Sequence, residues 1–317
     1  MQVQEKSLIF AAIIFLFHLN INIMKNKSFS HFMAFVCGMM LCVASCEKMN
    51  VTNTDSGDKG EANVRLSVGS FELEPFSATR TMVSDVCSRI SFLVYDRNGD
   101  RIRKLDQQVG DADFGQADFL LAQGRYFLVV TAHSGLGNPT STNAQKIAFT
   151  NKTGFTDTFL YADSLTVGDT DVEQSLNLRR IVAMVRFLPI DAVPVGADSI
   201  RFHYTGGSGT FDAVAGGWGV VNSEQMQWYG VSGKTNQFDI YTIPHEGDDD
   251  QLKVKVNTYH DTAGDISILS ECEIEGIPVK RNHITTCRGY LFSPVFQQKF
   301  NITIDDVWDN DSITFNF

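Results

Sequence analysis

The chain has 317 residues, 26 Lys and Arg against 37 Asp and Glu, and a formal net charge of −11. An acidic surface without a basic stripe argues against nucleic-acid binding and against peripheral attraction to anionic lipid. The length exceeds one ordinary domain.

The N-terminus carries two apolar runs, at residues 8–17 and 32–43. Met24-Lys25-Asn26-Lys27 is a basic start for the second run, so translation is expected to begin at Met24, with residues 1–23 an over-extended frame. A short positive region, an apolar stretch and then small residues are the parts of a secretory signal. The run closes on Val43-Ala44-Ser45-Cys46, which resembles a bacterial lipobox. That likeness implies acylation of Cys46, cleavage just before it and a signal region of residues 1–45. The alternative is an ordinary signal or anchor that happens to end in Cys. Residues 1–45 hold Lys6, Lys25 and Lys27 against Glu5, so the mature chain has 23 basic and 36 acidic side chains, net −13. Attachment to the membrane then comes from the lipid on Cys46. Stable anchoring needs two or more acyl chains, and a lipoprotein cysteine of this type, palmitate included, usually carries three.

Residues 46–61 are polar and read as a flexible tether. Alternation starts at Val64, Leu66 and Val68, the period of a half-buried strand. Ile90, Phe92 and Val94 lead into Asp96-Arg97-Asn98-Gly99-Asp100, a hairpin signal with Ile102 and Lys104 on the returning strand. Residues 126–132 form an unbroken apolar run of the kind buried on both faces. Weaker strands are expected at 146–149 and 158–162, with a loop at 133–143. The polar stretch 163–173 is taken as a boundary, giving domains 62–171 and 172–317. Residues 176–188 predict a long central strand or one that bends between two sheets. Further strands are expected at 200–204, 238–242, 252–258, 266–274, 283–292 and 300–304, and loops at 206–219 and 245–250. Ile313, Phe315 and Phe317 end the chain in alternation. Helical periodicity with caps is missing from the mature chain. Many short strands separated by turn signals predict an all-β fold, and the two half-lengths suit two β-sandwiches in tandem.

Chemistry-bearing constellations are few. Gly206-Gly207-Ser208-Gly209 lacks the spacing and the strand–turn–helix context of a nucleophile elbow and is expected to be a flexible loop. His203, His245, His260 and His283 are scattered and give no zinc pattern. Asp96/Asp100, Asp111/Asp113 and Asp248-Asp249-Asp250 do not match a calcium loop. No catalytic residue, metal or cofactor is expected, and the chain is read as a non-enzyme. Trp218, Trp228 and Tyr229 lie in a Gly-rich region and are candidates for stacking on sugar rings. After Cys46 the cysteines are Cys87, Cys272 and Cys287; register about the turn near Arg281-Asn282 leaves the last two too far apart to bond, so all three are expected as buried small apolar residues.

The lipobox, the hairpin Ser91-Phe92-Leu93-Val94-Tyr95-Asp96-Arg97-Asn98-Gly99, the run Leu120-Leu121-Ala122-Gln123-Gly124-Arg125-Tyr126, the strand beginning Leu178-Arg179-Arg180-Ile181 and the late segment Val279-Lys280-Arg281-Asn282-His283-Ile284 occur in that order. Together they resemble the fimbrillin and fimbrial-anchor lipoproteins of the Bacteroidetes, the type V pilus subunits. The resemblance implies two tandem transthyretin-like β-sandwich domains. It also implies assembly by strand complementation, in which an arginine-specific protease removes the first strand and a neighbouring subunit's strand fills the groove. Arg80 is the candidate processing site, or else an ordinary loop arginine; Ile313, Phe315 and Phe317 form a candidate donor strand, or else the last strand of their own domain. The expected function is a lipid-anchored subunit of a surface fimbria at the outer membrane, an anchor or accessory piece whose partners are other fimbrial subunits. The alternative is a surface lipoprotein that binds a glycan or host ligand.

Overall fold

The computed structural model describes residues 61–72, 82–150, 154–231, 236–247, 249–262, 264–293, 300–305 and 312–315. The strands in chain order are β1 (Val64–Phe71), β2 (Arg89–Tyr95), β3 (Arg101–Gln108), β4 (Gln116–Phe119), β5 (Gly124–His133), β6 (Thr140–Asn143), β7 (Lys146–Ala148), β8 (Thr158–Val167), β9 (Val172–Arg180) and β10 (Ala183–Pro189). They continue with β11 (Ser199–Gly207), β12 (Thr210–Asp212), β13 (Trp218–Gly219), β14 (Ser223–Gly230), β15 (Phe238–Thr242), β16 (Gln251–Thr262), β17 (Asp265–Pro278), β18 (Ile284–Gly289), β19 (Phe300–Asp305) and β20 (Ser312–Phe315). Among the described residues one helical turn, α1 (Val83–Val86), interrupts them. The fold is all-β and built of packed sheets, as the alternation predicted.

Local sequence explains the hairpins. Between β2 and β3, Gly99 takes φ 85°, and the Asp96 carboxylate accepts the backbone N–H of Asn98 at 2.8 Å and of Asp100 at 2.9 Å. Positive φ costs glycine little, and Asp readily caps its own turn.

The first sheet has the order β3-β2-β5-β8-β9-β1-β4. β8 and β9 pair only at Phe159 with Arg180 and Leu160 with Arg179, so the sheet divides there into two wings. Both wings supply one core: Ile90, Phe92, Leu128 and Val130 from one, Val64, Leu66, Leu176 and Leu178 from the other. Because successive side chains of a strand point to opposite faces, β2 and β5 also furnish a second core. Leu93, Tyr95 and Val129 turn away from the first and pack with Ile147, Leu160, Ile181, Phe211 and Ile243. The expected burial on both faces holds for residues 128–132, while Tyr126 and Phe127 are half-buried.

A small sheet, β13-β12-β7-β6, covers that second core. It joins distant parts of the chain, since Ile147 of β7 pairs with Phe211 of β12. The later strands form two sheets, β15-β10-β18-β19-β20 and β14-β11-β16-β17. Val185, Phe187 and Ile240 from one meet Phe202, Tyr204, Val254 and Val256 from the other.

Two features differ from the linear pattern. The polar stretch 163–173 holds the end of β8 and the start of β9, and β9, which begins at the expected boundary of 172, runs parallel to β1 inside the first sheet. Residues 176–188 take the second of their two expected forms: they are two strands in two sheets, separated by Ile181 and Val182, both fully buried. The chain therefore crosses between sheets through the second core, and the crossing is as apolar as a strand. Residues 206–219, expected as a loop, contain β12 and β13.

Candidate functional site

β1 is an interior strand made of the first described residues. It pairs parallel with β9 from Val64 with Val172 to Phe71 with Leu178, and antiparallel with β4 from Val64 with Phe119 to Ser67 with Gln116. Val64, Leu66 and Val68 point into the first core at 0%, 2% and 8% exposure. Burying side chains of this size stabilises by about 1.5–3 kcal/mol each. Asn63 fixes the entry: its side-chain amide donates to the Leu121 carbonyl at 2.8 Å and accepts the Leu121 N–H at 2.9 Å. On the outer face Arg65 lies 3.2 Å from Asp171 and 3.7 Å from Glu173; these pairs are exposed and contribute little. Glu72 closes the far end through its N–H to the Leu178 carbonyl at 2.8 Å.

β1 is thus held by backbone ladders on both sides and by three apolar side chains in the core. Withdrawal of β1 would leave the ladder edges of β9 and β4 facing each other across an empty lane, with three apolar sockets in its floor. Such a lane matches an extended peptide with alternating apolar residues. Arg80 follows β1 in sequence and lies outside the described residues, as do Cys46, Phe317 and the signal region. Ile313 and Phe315 lie in β20, the outermost strand of its sheet, opposite Ile304 and Ile302 of the same chain's β19.

The three aromatic residues expected to stack on sugars do not converge. Trp218 is on β13, where the Arg281 guanidinium sits 3.3 Å from the ring centroid. Trp228 faces outward on β14, 46% exposed, against Tyr259 at 5.4 Å. Tyr229, next in the strand, turns inward to Phe202 and Phe238, and its hydroxyl donates to the Asp239 carbonyl. Period-two alternation separates these neighbours.

The remaining candidates have local roles. Ser208 is fully buried; its hydroxyl donates to the Thr210 carbonyl at 2.6 Å, and its backbone bridges to Ile243. The Gly206–Gly209 segment is therefore a fixed crossing and not a flexible loop. His245 meets Asp250 at 2.8 Å, His260 meets Asp198 at 2.9 Å, and the His283 ring lies 2.6 Å from the Arg281 carbonyl. Cys87, Cys272 and Cys287 are free thiols, the first and last buried and Cys272 half-buried. Burial pushes the Cys87 and Cys287 thiols up to about 12 and Cys272 to about 11, which suppresses the reactive thiolate.

Sequence reading missed the polar ties. The Asp191 carboxylate accepts the N–H groups of Leu291 and Phe292, both at 2.8 Å, across about a hundred residues of chain. Buried Gln107 donates to the carbonyls of Asp113 and Gln116 and accepts the Gly115 N–H at 2.9 Å. No local pattern marks an Asp or Gln whose partners come from such distant or irregular backbone.

No curated protein sequence matches the chain. Its fold is distantly similar to that of a DUF1812 protein from Bacteroides thetaiotaomicron, at 11% identity and a TM-score of 0.49 over 80% of this chain and 98% of that one. A fimbrial assembly protein from Parabacteroides distasonis gives 12% identity and a TM-score of 0.42 over 81% and 98%. The tip fimbrial protein Mfa3 from Porphyromonas gingivalis, with C-terminal truncation, gives 13% and 0.35 over 77% and 99%. A sequence-family model, described as a family of unknown function, matches residues 138–316, more than half of the chain. The protein accordingly belongs to the DUF6562 family.

Proposed function

We propose that this protein is a lipid-anchored subunit of a surface fimbria, an anchor or accessory piece joined to other subunits by β-strand complementation. The observation that carries the reading is β1: an interior strand with three buried apolar residues, flanked on both sides by backbone ladders. It lies between Cys46 and Arg80 in sequence. Retention of Cys46 with its lipid keeps β1 in place and the protein on the outer membrane. Cleavage after Arg80 takes away the lipid and β1 together and opens the lane to a partner's strand. An edge strand at the C-terminus, β20, belongs to the same logic as a segment for exchange or docking. The resemblance to fimbrillin and fimbrial-anchor lipoproteins gives this geometry its biological setting.

Mass spectrometry of the N-terminus of protein recovered from cells tests the proposal. Acylated Cys46 is the outcome for an anchor, and a start at Thr81 is the outcome for a subunit that has shed β1. An unlipidated chain that keeps residues 62–80 and co-purifies with no other subunit overturns it.

A further inference from the structure

A groove of about 570 Å³ lies where the β2–β3 hairpin tip, the start of β5 and the β6–β7 turn meet. Its volume falls in the range of small-ligand sites. Arg97 and Asp100 on the hairpin, Arg125 on β5, Asn143 at the end of β6 and Gln145 on the turn border it, and the half-buried ring of Phe127 lies in its lining. Among the described residues the side chains of Arg97, Asp100, Arg125 and Gln145 make no hydrogen bond or ion pair with another residue. That sets them apart from Arg101, Arg180 and Arg186, which are bound to partners. The Asn143 side-chain oxygen is used by the Gln145 N–H at 2.8 Å, which leaves its amide donors over.

The frame of the groove is fixed in advance. The Tyr95 hydroxyl donates to the Ser141 carbonyl at 2.6 Å and Arg101 donates to the Ser141 hydroxyl at 2.8 Å, tying β6 to the hairpin. Preorganisation of this kind lowers the ordering cost of binding.

We infer that this groove binds an uncharged saccharide, a short oligosaccharide or the end of a longer one. Guanidinium, carboxylate and amide groups are planar and present pairs of donors or acceptors, which match neighbouring hydroxyls on a sugar ring. The charges balance, Arg97 and Arg125 against Asp96 and Asp100, so a strongly charged ligand has no net field to meet. Phe127 offers an apolar surface for the C–H face of a ring. The site is separate from Trp218, Trp228 and Tyr229, and it does not depend on the subunit reading, which rests on β1.

The test is binding of the full chain in detergent to an immobilised panel of neutral and carboxylated oligosaccharides. Wild type retains a neutral oligosaccharide, and Arg125→Ala and Gln145→Ala each lower its affinity by about tenfold or more, as expected when a hydrogen bond to a polar ligand is lost. Arg97→Ala, on the exposed hairpin tip, provides a variant without a packing role and shows the same loss, while Trp228→Ala binds as wild type. Retention of no neutral oligosaccharide, retention of carboxylated ones alone, or equal binding by all three groove variants overturns the inference. Any of these results leaves the N-terminal processing test unaffected.

Discussion

The Arg180 guanidinium donates two hydrogen bonds to the Asp157 carboxylate, at 2.7 and 2.8 Å, with its side chain only 2% exposed. A third bond reaches the Asn282 side chain at 2.9 Å, and the guanidinium stands 4.9 Å from the centroid of the Phe159 ring. The pair sits where β9 ends and the chain crosses toward β10. A charge buried to this degree needs its partner. Asp157→Ala is expected to destabilise by about 3–5 kcal/mol because the buried guanidinium loses its two-pronged carboxylate partner. Arg180→Lys is expected to recover little, since an ammonium cannot make the two-pronged contact. Urea unfolding of both variants checks the prediction, and wild-type stability in Asp157→Ala would contradict it.

The crossing also depends on a glycine. Gly217 has φ 78°, and a β-carbon there would lie 2.6 Å from Leu160 Cδ2 and 2.9 Å from Ile181 Cγ2. Both neighbours belong to the second core. Gly217→Ala combines an unfavourable backbone region with overpacking and is expected to cost about 2–4 kcal/mol. Gly99→Ala is the comparison: it shares a positive φ but meets open space, so only the conformational part should appear in a thermal melt.

His133 predicts an acid-sensitive fold. It is 1% exposed, its Nε2 has no hydrogen-bond partner among the described residues, and burial, aided by Arg89, lowers its pKa to about 4 against an opposing effect of Asp106. The unfolded chain binds the proton below its ordinary value of about 6.5 and the folded chain only near 4, so the unfolded state holds more protons in that window. Stability is therefore fully present above about pH 6.5 and falls as the pH drops toward 4, by about 3 kcal/mol at most from this group. His133→Gln should flatten that part of the profile in unfolding measured from pH 7 to pH 4. An unchanged slope would show that other groups carry it.

The thiols should be silent in the native protein. Cys87 and Cys287 are 2% and 1% exposed, with raised pKa values, and Cys272 is also raised. Iodoacetamide at pH 8 is expected to leave Cys87 and Cys287 unmodified in the folded state and to label all three in guanidinium. Rapid native labelling of Cys87 or Cys287 would mean that the core around β2 or β18 opens readily.

Leu66 gives the clearest handle on the first strand. Leu66→Ala should cost about 2–4 kcal/mol through the cavity it leaves between the wings. It should also hasten release of the strand from protein nicked after Arg80, followed by size-exclusion chromatography of the two pieces. Identical retention of the strand in wild type and variant would mean that the backbone ladders alone hold it.

Much of this architecture is local chemistry, and local chemistry is visible in a sequence. Alternation at Val64, Leu66 and Val68 identifies a half-buried strand, Asn98-Gly99 makes a hairpin wherever it is placed, and the continuous apolar run in β5 announces burial on two faces. What the period of two cannot state is which strand lies beside which, because a strand of any partner presents the same pattern. Only the tertiary structure decided that β1 sits between β9 and β4, that the apolar link Ile181-Val182 passes from one sheet to another, and that Trp218 lies in a different sheet from Trp228 and Tyr229. The groove at the β2–β3 tip is of the same kind: Arg97, Arg125 and Gln145 have no signal in common along the chain, and long-range packing of two turns and the start of β5 brings them together.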